Sequence, residues 1–373
     1  MQSYRVFIAS GASGGHLCPA VAVAEALTAQ GHTCQFLVGG GKFQNLVTDA
    51  GFTLHNLPAS AYSGKNPFSK VKALINLMRA FWRALSIMHK AQPHVVFGTG
   101  GYATVATVIA AKTLGIPVIL HEVNVIPGRA NKKLACLADK MAITFPATAS
   151  YLSCGSDKTH VTGNPLRKRV VALAQQPRAA SEYLHILILG GSQGARGLST
   201  IIPETLQRLP VDVRARLHVT HQVRKQDTEA TAELYADLKL AAYTLTPFVE
   251  DVATALHQAH VIITRAGGTM TECALYGRAA IYVPHLLADN HQVINAQHMA
   301  DAGAGICIPQ DLLTTETLLP HLENLLLDED KRTAMEQAAH KISQPAAAET
   351  LAKLITHTAA QDVMNQPHHK STE

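Results

Sequence analysis

Residues 8 to 19 read Ile8-Ala-Ser-Gly11-Ala-Ser13-Gly14-Gly15-His16-Leu-Cys18-Pro19. The apolar run Tyr4 to Ala9 ends there in a turn with three glycines, and a helical pattern from Pro19 to Gln30 follows. A strand, a glycine turn and a helix with Pro near its first turn is how a parallel α/β unit offers backbone N–H groups to an anion. The spacing G-x-x-G-G-H is neither the dinucleotide fingerprint G-x-G-x-x-G nor the P-loop, whose Lys is missing here. Two readings follow: a polar-ligand site of another kind, or a tight strand-to-helix turn, which leaves His16 unexplained.

Outward from this turn the first half alternates short apolar runs with helical patterns. Tyr4 to Ala9, Thr33 to Val38, Thr53 to Asn56, His94 to Phe97, Ile116 to Leu120 and Lys140 to Thr144 read as strands of a mostly parallel sheet. Gly98-Thr-Gly-Gly-Tyr102 follows the fourth of these, and His121-Glu122-Val123-Asn124 follows the fifth, both at strand carboxyl ends, where open α/β sheets bind ligands. Three such loops on one edge predict a lined cleft.

Val161-Thr-Gly163-Asn-Pro165 punctuates the chain as the exit from a first domain. A fresh strand, His185 to Leu189, then runs into Gly190-Gly-Ser192-Gln193-Gly194-Ala-Arg196, restating the opening theme. Strands follow near Leu217 to Thr220, Tyr243 to Thr246, Val261 to Thr264, Ala280 to Val283 and Gly305 to Ile308. The predicted architecture is α/β, two Rossmann-like domains with parallel sheets facing across a cleft. The boundaries are 1–163, 164–342, a C-terminal helix over 343–360 that returns to the first domain, and a disordered tail over 361–373. In the second domain Arg265-Ala-Gly-Gly268-Thr269-Met270-Thr271-Glu272 is another glycine turn into a helix, whose first N–H groups can hold phosphate oxygens. Glu272 there could instead accept ribose hydroxyls. Asp289-Asn-His291-Gln292 and Asn295 stand at the start of a further helix.

Composition narrows the class. A length of 373 residues suits two domains, and 47% hydrophobic with 16% charged residues describes a soluble, well-packed protein. Six cysteines without a C-x-x-C pair read as core residues of a reduced, cytosolic protein. Twenty histidines include no H-E-x-x-H, and Asp328-Glu-Asp330 matches a metal-binding D-x-D only in its letters, being a solvated helix end, so no metal is expected. No signal peptide and no membrane-spanning run is read. The net charge of +5 is uneven: no Asp or Glu lies between Asp49 and Glu122, where Lys65, Lys70, Lys72, Arg79, Arg83, Lys90 and Lys112 fall. Within this basic stretch Phe68 to Lys90 predicts an amphipathic helix, with Val71, Leu74, Ile75, Met78, Phe81, Trp82, Leu85 and Met88 at three- and four-residue spacing. It either covers the sheet or also rests, through Lys72, Arg79 and Trp82, on an anionic membrane surface.

Taken in order, Gly11-Ala-Ser-Gly-Gly-His16, Gly98-x-Gly-Gly-Tyr102, His121-Glu-x-Asn124, Gly163-Asn-Pro165 with Arg167, Gly190 to Arg196, Arg265-Ala-Gly and Asp289-Asn-His-Gln-x-x-Asn295 resemble the MurG family of peptidoglycan N-acetylglucosaminyltransferases, in glycosyltransferase family 28, over roughly residues 4 to 350. The resemblance implies a GT-B fold, UDP-GlcNAc as donor, the undecaprenyl-linked lipid I as acceptor and lipid II as product. It also implies a peripheral place on the cytoplasmic face of the bacterial inner membrane, with cell-wall synthesis proteins as partners and a part in cell shape and division, without nucleic acid. By position, Ser192 would meet phosphate, Val249 uracil, and Gly268, Thr269, Met270, Thr271 and Glu272 the diphosphate and ribose, with Arg167 nearby and Gln193 and Arg265 also among the substrate-binding residues. Gln292, Asn295 and Asn124 would read the sugar, Ser13, Gly14, Gly15 and His16 would face the reaction from the first domain, and Tyr102 and His291 would also bind substrate. Ser13 replaces the customary Thr, Val123 a customary Gln, and the stretch from Arg265 to Glu272 is one residue shorter than usual.

For such a transfer the base is His16, whose ordinary pKa suits proton abstraction near neutrality, or Glu122. Alternatively His16 bonds phosphate or orients its loop. Other classes remain: another GT-B transferase using a UDP-sugar on a lipid or aglycone, a sugar-nucleotide epimerase, and a non-catalytic membrane-associated scaffold.

Overall fold

The computed structural model describes residues 2–41, 43–59, 67–190, 196–286 and 290–365. The chain divides into two units, Met1–Lys168 with Gln344–Glu373, and Arg169–Ser343.

In the first unit seven parallel strands stand in the order β3-β2-β1-β4-β5-β6-β7. They are β1 (Arg5–Ser10), β2 (Thr33–Gly39), β3 (Thr53–Leu57), β4 (Val95–Gly98), β5 (Val118–Glu122), β6 (Lys140–Ile143) and β7 (Thr159–Val161). Sequence reasoning gives the first six within about two residues at each end and misses β7, a three-residue edge strand too short to show a period. The central strands are buried along most of their length, which is why they read as continuous apolar runs. Strand order reverses between β1 and β4, so the loops after these two strands flank the crevice where such sheets take ligands.

The helix after β1 is Gly14–Ala29, not Pro19 to Gln30. Its first turn is made of the glycine motif itself, and Pro19, the sixth residue, lies inside the helix, where it leaves the Gly15 carbonyl without the usual i+4 donor. The helix Ala347–Asn365 packs on Gly14–Ala29, its Leu351, Ala352, Ile355 and Ala359 completing the core under β1 and β2. It runs five residues beyond the predicted end at Ala360, so residues 361–365 are helix and not tail.

In the second unit six parallel strands stand in the order β10-β9-β8-β11-β12-β13. They are β8 (Leu184–Leu189), β9 (Leu217–Gln222), β10 (Ala242–Thr246), β11 (Val261–Thr264), β12 (Ala279–Tyr282) and β13 (Ile306–Cys307). Order reverses between β8 and β11, beside the glycine loop that follows β11.

Both sheets share a device at their opposite edge. The Tyr4 and Arg5 amides at the start of β1 donate to Nδ1 of His32 and His94, at 3.2 and 2.9 Å, and these histidines immediately precede β2 and β4. The His185 amide in β8 donates to Nδ1 of His260 at 3.1 Å, immediately before β11. Several of the twenty histidines thus serve as neutral backbone acceptors.

The helix Pro67–Ala91 covers the sheet with part of its apolar face only. Ala80, Ala84 and Met88 are buried, but Val71, Leu74, Ile75, Met78 and Trp82 are exposed, Trp82 by 62%. At 3.6 residues per turn, positions 71, 75, 78 and 82 fall within about 60° of one another. Lys72, Arg79, Arg83 and Lys90, all exposed, form a second row roughly 90° round the helix from them. Among the described residues no helix is long and apolar enough to cross a membrane.

Candidate active site

In the first unit the turn after β1 and the loop after β4 lock together. The Gly11 amide donates to the Gly100 carbonyl at 2.8 Å, and the Thr99 hydroxyl donates to Ser10 Oγ at 3.0 Å beneath them. Thr104 fastens the second loop from the helix side, its hydroxyl donating to the Gly100 carbonyl at 2.7 Å. Gly101 has a φ of +91°, and a Cβ there would stand 2.7 Å from the Gly11 Cα, so neither sterics nor backbone admits a side chain. His16, on the first turn of its helix, is wedged against this pair of loops. Among the described residues its buried Nδ1 has no hydrogen-bond partner. Burial holds its pKa below the ordinary value, against smaller upward effects of the Glu122 charge and a hydrogen bond with the Thr99 backbone. The ring is therefore a neutral imidazole near pH 7, the form a base needs.

Ser13 caps the same helix with its carbonyl, which accepts from the His16 and Leu17 amides, and its side chain is exposed. A Cβ at Gly14 or Gly15 would meet no other atom within 4 Å, so these positions leave the helix N-terminus open to a close-approaching ligand. Tyr102, the first residue of the helix Tyr102–Thr113, is 47% exposed.

Glu122 ends β5 and is 2% exposed. Its Oε1 accepts from the Asn124 amide and the Asn124 side chain, and its Oε2 from the Gly128 amide and Asn131 Nδ2, all at 2.9 Å. Four donors occupy the lone pairs of one carboxylate. That corrects its reading as a candidate base, because the group is enclosed by its own loop. Asn124 correspondingly spends a donor on Glu122 as well as any it offers a sugar. His121, expected beside the site, is buried, with its Nε2 3.0 Å from the Gly163 carbonyl and its pKa lowered by burial to about 4, so its role is internal.

Asn131 was not anticipated. Its Nδ2 also donates to the His121 carbonyl at 2.8 Å, and its amide lies 3.4 Å from where a Gly100 Cβ would be, while His16 Cε1 stands 3.3 Å from the same point. The available signal was its place three and four residues before Leu134 and Ala135, both buried, which puts Asn131 on the inner face of the helix Arg129–Leu134. Arg167, expected near nucleotide, belongs to the first unit and pairs with Glu25 at 3.0 Å.

In the second unit Ser192, Gln193 and Asp289 lie outside the described residues. Arg265 directs its guanidinium at the Val283 carbonyl, 2.8 Å away, and burial lowers its pKa. Among the described residues it has no carboxylate partner, leaving a half-buried cation suited to an anion. Glu272, on the first turn of the helix Thr269–Leu275, is half-buried, and burial pushes its carboxyl up to about 7. Thr271 turns its hydroxyl back to the Gly268 carbonyl at 2.7 Å, and Thr269 is partly exposed. Two expected ligand contacts are corrected. Met270 is buried in the core, so only its backbone can reach a ligand, and Asn295 is fully buried, its Nδ2 donating to the Ala266 carbonyl at 3.2 Å. Asn295 thereby ties the helix His291–Asp301 to the Arg265 loop. Gln292 accepts from the His285 amide through Oε1 at 2.9 Å, His291 opens the helix, and Val249 is half-buried in the segment after β10.

The N-terminal domain signature of glycosyltransferase family 28 matches residues 6–143, and its C-terminal domain signature matches residues 185–353. The chain is 35% identical over 362 residues to a protein of Allorhizobium ampelinum named UDP-N-acetylglucosamine--N-acetylmuramyl-(pentapeptide) pyrophosphoryl-undecaprenol N-acetylglucosamine transferase, covering 94% of both. A Pseudomonas fluorescens protein of the same name is 35% identical over 359 residues, covering 95% of this chain and 99% of the relative.

The chain belongs to the MurG family.

The crystal structure of Acinetobacter baumannii MurG superposes with a TM-score of 0.76 at 32% identity, covering 95% of this chain and 99% of that one. UDP-GlcNAc 2-epimerase of Neisseria meningitidis, with a TM-score of 0.70 at 15% identity, shares the fold alone. As a MurG family member the chain is a glycosyltransferase with two Rossmann-like domains of the GT-B type. Both family signatures take in the loops described above: His16 and Glu122 fall inside the first, Arg265, Glu272 and Asn295 inside the second.

Proposed function

We propose that the protein transfers GlcNAc from UDP-GlcNAc to the C4 hydroxyl of the MurNAc in lipid I, giving lipid II for peptidoglycan synthesis and, through it, cell shape and division. The observation that carries this is identity of 35% to relatives so named along 94% of the chain, through both units.

The chemistry follows from the side chains. The acceptor hydroxyl attacks the anomeric carbon, its proton passes to the neutral His16 imidazole, and the bond from that carbon to UDP breaks, with inversion. Negative charge then grows on the departing diphosphate. Arg265 and the backbone N–H groups around Gly268 are suited to hold it, with no metal invoked. Glu272 accepts the ribose hydroxyls, Val249 meets uracil, Gln292 reads the sugar, and Ser192 takes phosphate. The first unit presents the acceptor with Ser13, Gly14, Gly15 and Tyr102.

Lipid I is anchored in a bilayer, and the exposed row of Val71, Leu74, Ile75, Met78 and Trp82 beside Lys72, Arg79, Arg83 and Lys90 suits peripheral attachment to an anionic, cytoplasmic membrane face. Transfer of labelled GlcNAc from UDP-GlcNAc to a lipid I analogue tests the proposal. Product of the mass of lipid II is expected; release of a free epimerised sugar nucleotide, or transfer only to other acceptors, would refute it.

A further inference from the structure

We infer that Glu122 is a positioning residue, whose carboxylate gathers the loop between β5 and the helix Arg129–Leu134 and holds it against His16, taking no proton itself. The inference rests on the transferase reading for its catalytic part, and on the hydrogen bonds alone for its structural part.

The loop Val123–Pro127 has no regular structure to fix it. Its backbone is closed instead around one anion: the Asn124 amide at one end and the Gly128 amide at the other donate to the two carboxylate oxygens, and two side-chain amides complete the set. The donors are all neutral dipoles. Among the described residues no Lys or Arg pairs with Glu122, so its negative charge is left to act on its surroundings, and His16 is the titratable group it influences. Asn131 extends the arrangement. It holds Oε2 of Glu122 with the amide that also holds the His121 carbonyl, and it lies beside Gly100, whose other neighbour is the His16 ring. One carboxylate therefore sets both the shape of the loop that carries Asn124 and the environment of the base. Gln is not equivalent at this position: its amide offers one acceptor oxygen where four donors converge, and its NH2 would face N–H groups.

The test uses the full chain with Glu122→Gln and Asn131→Ala, reading amide exchange of Asn124 and Gly128, the pH profile of transfer, and UDP binding. In Glu122→Gln, exchange of both amides is expected to accelerate at least about tenfold, and kcat/KM for the acceptor to fall roughly 10- to 100-fold through misplacement. Affinity for UDP, which lacks the sugar that Asn124 would read, is expected to stay unchanged. Loss of the negative charge makes His16 harder to protonate, so the acid limb of the profile should move to lower pH. Asn131→Ala removes one donor and keeps the charge: exchange at Gly128 should accelerate while the limb stays in place. A Glu122→Gln enzyme with protected amides, activity lost by more than about 10⁴-fold and no acid limb would show Glu122 to be the base and overturn the inference. So would unchanged exchange with an unmoved limb. If Glu122→Gln does not fold, Asn124 and Gly128 amides that exchange in the wild type as fast as those of an unprotected loop overturn it alone. Failure of the transferase reading shows separately, as a wild-type protein that moves no GlcNAc while the exchange results still stand.

Discussion

Gly11 lies against His16 so closely that a methyl group on it would stand 2.8 Å from the imidazole Cδ2 and 3.3 Å from the Gly100 carbonyl. Gly11→Ala must therefore push the ring or part the two loops. A loss of about 1–3 kcal/mol in stability is expected from overpacking, with kcat reduced roughly 100-fold by displacement of the base. Urea unfolding and steady-state rates measure both; near-normal kcat would mean that the ring position is not demanding.

Removing the imidazole itself is a cleaner test of chemistry. His16→Ala is expected to lower kcat by roughly 10²- to 10⁴-fold and to leave UDP-GlcNAc binding by calorimetry almost untouched. A reduction smaller than about threefold would rule His16 out as the base. In the wild type with saturating UDP-GlcNAc, the acid limb of kcat should lie below the ordinary histidine range, because burial favours the neutral ring.

The second unit makes a pH prediction of its own. The Glu272 carboxyl titrates at about 7, and a carboxylate accepts two ribose hydroxyls better than the protonated acid does. UDP affinity should accordingly rise from pH 6 to pH 8, by at most about tenfold per unit. In Glu272→Gln the pH dependence should vanish. Equal slopes in the two proteins would remove Glu272 from the ribose.

Acid stability depends on the other edge of the sheets. His32, His94 and His260 accept backbone N–H groups as neutral rings, and burial lowers all three, His260 to about 3. The unfolded chain takes up protons on them near 6.5 while the folded chain resists, so their stabilisation is complete above that pH and is lost as pH falls toward the folded values. Urea midpoints should drop between pH 7 and pH 5. His260→Ala should cost about 1 kcal/mol at pH 7, a lost hydrogen bond, and flatten the decline.

Replacing Lys72, Arg79 and Trp82 together should release the protein from anionic vesicles and spare transfer to a soluble acceptor. Two basic residues at about 1 kcal/mol each already correspond to about 30-fold in partition. Undiminished vesicle binding would count against the membrane face.

What could be read before the fold was known divides along physical lines. β1 and β11 were legible because a buried parallel strand is a continuous apolar run, and the glycine turns because few other residues fit there. Glu122 and Asn295 were misread because a polar residue beside a ligand loop looks the same in sequence whether it faces the ligand or the protein. Only the partners decide: three other residues' worth of donors for one, and the Ala266 carbonyl for the other. The helix Pro67–Ala91 was legible only in part, since a three- and four-residue apolar period says that a face wants cover and not how much of it the sheet supplies.

That helix also sets a conflict for anyone handling the protein in water. Five large apolar side chains on one face are an invitation to self-association, which rises with salt as the neighbouring lysines and arginines cease to repel. Substitutions selected for high soluble yield would fall on the same five positions and silently trade away attachment, so a well-behaved preparation that ignores lipid is evidence of what was removed.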